Sequence, residues 1–354
     1  MGTFVIAEAG VNHNGDIELA RTLIDTAAEA GADAVKFQTF RAELVASDFA
    51  EKAAYQRLTT DSAETQLEML RKLELPQQWH AELKERAMTR GLVFLSTAFD
   101  RESLRFLVED TGIDRIKIPS GELTNGPLLL DAALTGLPAI LSTGMANLEE
   151  IANALAVLAF GYLGGQEPGK TNFAKAYASS DGREALAENV TLLHCTTEYP
   201  APFEEIDLRA MDVLAAEFGL PVGLSDHSQG ITVPIAAVAR GATVVEKHFT
   251  MDRSLPGPDH LASLEPGELR DMVAAIRTTE AALGKGEKVL KPSERANRDI
   301  ARRSLVAADD IAAGETFTER NVTALRPGTG ISPMRYWEII GTRADRAIRK
   351  GEAI

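Results

Sequence analysis

The sequence predicts a parallel (β/α)₈ barrel followed by a small β-rich module. Three observations carry that expectation. Eight short apolar runs alternate with amphipathic helical segments along residues 1–285. Polar residues gather at the C-terminal ends of those runs, the rim where barrel enzymes build their sites. Residues 301–354 lose the alternation and read as short strands joined by Gly-Glu turns.

The strands are expected at Phe4–Gly10, Ala34–Phe40, Leu92–Phe99, Arg115–Glu122, Pro138–Met145, Val190–Thr197, Pro221–His227 and Thr243–Thr250. Helical segments follow, such as Asp16–Ala30 and Ile231–Arg240. In "EAGADAV" and "ARGATVV", Gly31 and Gly241 stop a helix just before the next strand. A doubly wound sheet is the structural alternative, but no GxGxxG turn follows the first strand.

Two connections are long. Residues 41–62 follow the second strand, lie on the active rim and form a candidate lid. Residues 161–189 precede the sixth strand, so they lie on the opposite rim and read as a Gly-rich, polar surface insertion. Residues 286–300 read as a linker. The final module, 301–354, echoes itself: "IAAGETF" at Ile311–Phe317 and "IRKGEAI" at Ile348–Ile354 share I-x-x-G-E-x-apolar.

Composition limits the function. The 354 residues are 45% hydrophobic and 25% charged, as in ordinary soluble domains. No apolar run nears the roughly 20 residues that span a bilayer, and no signal-peptide pattern opens the chain. The single Cys195 rules out an intrachain disulfide framework. The expected location is the cytoplasm, with no membrane partner. A net charge of −15 argues against nucleic acid as a partner. It also requires any anionic substrate to meet local lysines or arginines.

His227 and His248 end neighbouring strands near the barrel mouth. They can share a divalent ion or be unrelated polar strand ends. Side-chain alternation places Ser225 with His227, Glu246 with His248, and Lys36 with Gln38. Lys247 should point the other way, toward the helices. Lys36, Lys117, Ser120, Ser142 and Ser225 suit a phosphate or carboxylate, since lysines supply charge and hydroxyls adaptable donors. Glu8, inside the first strand, is a sugar ligand, a general acid or base, or half of an ion pair. His13 and Asn14 belong to a helix-capping loop, and His80 to a polar helix. Asp259 stands on the stiff "PGPDH" loop, and Arg326 on the Pro-Gly turn of the module.

The motifs "IAEAGVNHNG", "ADAVKFQTF", "KIPSGE", "ILSTGM", "LLHCTTEYPAP", "GLSDHSQGI", "EKHF" and "LPGPDH" resemble the bacterial N-acetylneuraminate (sialic acid) synthases. The tail beginning "ARRSLVAADDIAAGETF" resembles their C-terminal antifreeze-like (SAF) domain. The resemblance runs in order along nearly the whole chain. It implies condensation of phosphoenolpyruvate with N-acetylmannosamine, as the open aldehyde, to a nine-carbon 2-keto acid and phosphate. It implies a divalent metal, Mn²⁺ first and Mg²⁺ or Co²⁺ next, on His227 and His248. It implies phosphoenolpyruvate contacts from Lys36, Lys117, Ser120, Ser142 and Ser225, and Glu8 as acid or base. Sugar contacts fall to Gln38, Thr97, Glu122, Tyr199, Asp259 and Arg326. The module would reach across a homodimer, so that Arg326 serves the partner's site. Thr197 stands where some relatives carry Asn. The alternatives are a sister synthase using a 6-deoxy-2,4-diacetamido hexose, giving legionaminate or pseudaminate, and a non-catalytic carbohydrate-binding protein.

Overall fold

A computed structural model describes residues 2–61 and 63–354; Ser62, the last residue of the candidate lid, lies outside the described residues. The chain divides into two compact units, Met1–Gly284 and Lys285–Ile354.

In the first unit eight parallel strands close into a barrel in chain order. They are β1 (Phe4–Gly10), β2 (Ala34–Thr39), β3 (Val93–Ala98), β4 (Ile116–Ile118), β5 (Ala139–Ser142), β6 (Val190–Cys195), β7 (Val222–Asp226) and β8 (Val244–His248). The period of two sends alternate side chains inward and outward. Ile6, Leu95, Ile140, Leu193 and Val244 fill the barrel interior. Val5, Val35, Leu141, Leu192, Leu224 and Val245 join the larger core that includes the surrounding helices. At Gly223 a Cβ would strike the Val244 carbonyl oxygen, so only glycine lets β7 lie this close to β8.

One expectation about the barrel is corrected. The stretch Arg115–Glu122 is not one strand. Pro119 has no N–H to continue the ladder, and Ser120–Glu122 winds into a 3₁₀ turn. Residues 161–189 lie largely at the surface, as expected, and are mostly helical. The helix Leu148–Tyr162 runs into them, and helices Lys170–Ala178 and Ser180–Asn189 follow. Phe173 meets Phe160 edge-on at 5.1 Å, which anchors the segment to the core. The candidate lid carries short helices at Ala42–Val45 and Ala54–Thr59, and a further helix at Gln66–Leu73. Asp16 caps the helix Ile17–Glu29 by accepting from the Glu18 N–H at 2.8 Å. His80 is buried, with Nε2 2.8 Å from the Thr39 hydroxyl. Among the described residues no helix is long and apolar enough to cross a membrane.

The second unit replaces much of the expected linker with a helix, Arg295–Ala301. β9 (Ser304–Ala307) pairs antiparallel with β10 (Val322–Leu325). The two echoing segments pair with each other: Ile311 and Ile348 exchange both backbone hydrogen bonds, at 2.8 and 2.9 Å. Each Gly-Glu turn is closed the same way. Glu315 accepts from the Ala312 N–H at 2.8 Å, and Glu352 from the Arg349 N–H at 3.0 Å. Gly314 and Gly351 supply the left-handed backbone, with φ of 84° and 79°. The sequence echo is thus a local two-fold repeat in space.

Candidate active site

Strand register builds the site. Glu8 pairs with Lys36 on one side and His248 on the other, Ser225 with Glu246, and Thr97 with Lys117. All of these side chains point inward above the apolar layer. They line a cavity of about 470 Å³ together with Gln38, Ser120, Glu122, Ser142, Tyr199, His227 and Asp259. Every barrel residue proposed from sequence for a site role therefore borders one space. Arg326 belongs to the second unit, where it is exposed and donates Nε to the Ala301 carbonyl at 2.9 Å.

The rim residues of opposite parity leave the site. Ser96 turns outward to Thr39 at 2.6 Å. His194 meets the Ile206 carbonyl behind β6. Lys247 points away from the cavity, as alternation required. It is fully buried 2.6 Å from Asp226 Oδ2 and also donates to the Ser228 carbonyl. Asp226 in turn accepts from the Ser228 N–H and hydroxyl, each at 3.0 Å.

The floor of the cavity is a buried chain of charges. Lys36 Nζ lies 2.7 Å from Glu8 Oε2 and 3.7 Å from Glu246 Oε2. It also donates to Thr97 at 2.7 Å. Lys117 lies 3.5 Å from Glu246 Oε1 and donates to Ser142 at 2.8 Å. The Ser225 hydroxyl donates to Glu246 at 2.9 Å. Burial pushes the Glu8 carboxyl up to about 7, against the pull of Lys36. Burial would also raise Glu246, but Lys117 and Lys36 together hold it below the usual carboxylate range. Burial drives Lys117 down, whereas Lys36, flanked by Glu246 and Glu8, ends up raised. Glu8 is therefore the member poised to exchange a proton near neutrality.

Sequence reasoning gave Glu246 no role beyond sharing a face with His248. Its inward parity was the available signal. Its contact with two lysines appears only when the barrel closes. Cys195 and Tyr55 also line the cavity and were not singled out for the site.

The two imidazoles stand 5.6 Å apart between ring centroids. His227 donates Nδ1–H to the Thr196 carbonyl at 2.8 Å, which leaves Nε2 with a free lone pair when the ring is neutral. Burial, then the charge of His227, keeps His248 well below its usual range and so neutral. Its Nδ1 is buried with no hydrogen-bond partner, 3.7 Å from Asp259 Oδ2. Tyr199 stacks on His227 at 4.0 Å and fixes that ring. An orphaned imidazole nitrogen beside a second oriented imidazole fits a divalent cation. Among the described residues no group of three or more His, Cys, Asp or Glu is arranged to hold a metal. Such a cation would take its other ligands from water or substrate.

A family model described as the NeuB family matches residues 23–288, and a SAF domain model matches 302–354. The chain belongs to the NeuB family. This NeuB-family chain is an enzyme, and several of its relatives bear synthase names. It is 49% identical over 352 residues to an N,N'-diacetyllegionaminic acid synthase of Campylobacter jejuni, covering 99% of this chain and 98% of that one. It is 45% identical over 354 residues to the protein of that name from Legionella pneumophila, covering 100% and 94%. Among solved structures, an N-acetylneuraminic acid (sialic acid) synthetase from Leptospira borgpetersenii in complex with citrate matches the NeuB-family chain. There the TM-score is 0.67 and the identity 33%, over 84% of this chain and 90% of that one.

Proposed function

We propose that this enzyme is an N,N'-diacetyllegionaminic acid synthase. It condenses phosphoenolpyruvate with a 6-deoxy-2,4-diacetamido hexose in its aldehyde form and releases phosphate. The observation that carries this reading is the 49% and 45% identity, over essentially full length, to two synthases of that name. The sialic acid synthetase stands at 33%. The sequence-based preference for N-acetylmannosamine thus gives way to its alternative.

The cavity supplies matching chemistry. Lys36 and Lys117, with Ser120, Ser142 and Ser225, hold the carboxylate and phosphate of phosphoenolpyruvate, which fixes the enol for attack. Ser120 Oγ already accepts from the Gly144 N–H at 3.0 Å, so a backbone donor also faces this end. Gln38, Thr97, Glu122, Tyr199 and Asp259 contact the sugar. His227 and His248 would hold Mn²⁺, which when bound supplies a Lewis acid for the aldehyde oxygen. The C2–C3 electron pair of the enol forms the new C–C bond to the aldehyde carbon. The aldehyde oxygen takes the proton that Glu8 holds; water then adds at C2 and returns a proton to Glu8, and the C2–O bond to phosphate breaks as the C2 hydroxyl gives its proton to the departing phosphate, leaving the ketone.

The test is phosphate release with phosphoenolpyruvate, Mn²⁺ and purified acceptors. We expect kcat/KM for the 6-deoxy-2,4-diacetamido hexose to exceed that for N-acetylmannosamine by about tenfold or more. A preference for N-acetylmannosamine would end this assignment.

We also propose a homodimer in which Arg326 of one subunit meets the sugar bound by the other. Glu8→Ala and Arg326→Ala chains, each inactive alone, should regain activity when co-expressed. The mixed dimer then holds one intact site. If co-expression restores nothing, the cross-subunit role is wrong.

A further inference from the structure

The cavity has two ends of opposite character. The inner end is the charged floor. The outer end, above β1 to β3, is largely apolar and is walled by the segment that follows β2. Val45 and Leu70 of that segment line it, backed by Phe40 and Phe99, whose rings meet edge-on at 5.9 Å. Tyr55, from the same segment, packs at a tilt against Tyr199 at 5.0 Å, and Tyr199 stacks on His227. The apolar wall is thereby tied to the imidazole end of the site. Gln66 adds a side-chain amide to this outer lining.

We propose that Val45, Tyr55 and Leu70 determine acceptor specificity by reading the far half of the sugar: the 6-methyl group and the 4-acylamino group. The proposal deepens the legionaminate reading and rests on it. The aldehyde must lie at the histidines to meet the enol. The remaining carbons of the open chain then run outward, toward this wall. A methyl group gains there by leaving water. A 6-hydroxyl would lose water partners against Val45 and Leu70, and neither side chain offers one in exchange. An acetamido group matches the mixed surface, with its methyl on the wall and its amide on Gln66. Discrimination at a pocket of this kind amounts to about 10–200-fold for one methylene-sized group.

The experiment uses the full chain with two separate variants, Val45→Asn and Leu70→Asn. Val45 is 37% exposed and Leu70 half-buried, so neither change opens the core. Unchanged thermal midpoints verify the fold. Each variant should lose about tenfold or more in kcat/KM for the 6-deoxy-2,4-diacetamido hexose. N-acetylmannosamine should change by less than about twofold or improve, and KM for phosphoenolpyruvate should hold. Equal losses on both acceptors, or no loss, overturn the proposal while wild-type preference for the diacetamido sugar keeps the legionaminate reading intact. Absence of wild-type turnover with the diacetamido sugar removes both.

Discussion

His248→Ala is expected to abolish condensation, with kcat/KM down by about a thousandfold or more, while the barrel stays folded. The size follows from the proposed role. A Lewis acid on the aldehyde contributes several kcal/mol at the transition state, and about 1.4 kcal/mol is worth each factor of ten. The fold survives because His248 ends β8 on the cavity side, outside the packed layers. The variant should also lose Mn²⁺ binding, read directly by titration calorimetry or by the spectrum of the bound ion. In the wild type, chelation should stop phosphate release and added Mn²⁺ restore it. Turnover that persists through chelation would sink the metal assignment.

Lys247→Met is expected to destabilise the barrel by about 3–5 kcal/mol. The ammonium is fully buried and holds Asp226 at 2.6 Å. Its removal strands a carboxylate behind β7 with only Ser228 to satisfy it. The pair joins β7, which His227 follows directly, to β8, which ends in His248, so the loss falls on the histidine side of the barrel. A denaturant midpoint measures it. Lys247→Met combined with Asp226→Leu should recover much of the stability, because no buried charge is then unpaired. A single variant as stable as wild type would show that the pair is dispensable.

The contrast between these neighbours shows what the sequence makes legible. Period-two alternation alone separates Lys247 from Glu246 and His248, since parity is a local property of a strand. The same logic sorts His194 from Cys195. The eight-strand order was legible for a related reason, because each apolar run and each helix stop is local. Alternation alone reads "RIKIPSGE" as continuous strand, whereas Pro119 ends the ladder and a 3₁₀ turn follows. Glycine and polar composition places residues 161–189 at the surface but says little about their helices, whose few apolar residues find a partner in Phe160. Glu246 was out of reach for a different reason. It matters through lysines on β2 and β4, and only closure of the barrel brings them to β8. The choice between acceptors is not legible in the motifs, because they lie mostly on the charged floor and the histidines. The apolar wall proposed to meet the sugar's far end is lined by Val45, Tyr55 and Leu70, which belong to no motif.

The charged floor carries one more consequence. Glu8 and Glu246 are already the counter-ions of Lys36 and Lys117, held in place by the fold. An arriving anion therefore does not fall into a positive well. It must exchange with carboxylates in residence, as a solute does on an ion-exchange resin. Weak or singly charged anions compete poorly on such terms, while one molecule bearing both a phosphate and a carboxylate can engage both lysines at once. The acidic protein thus keeps its lysines out of reach of ordinary cellular anions by giving them anions of its own.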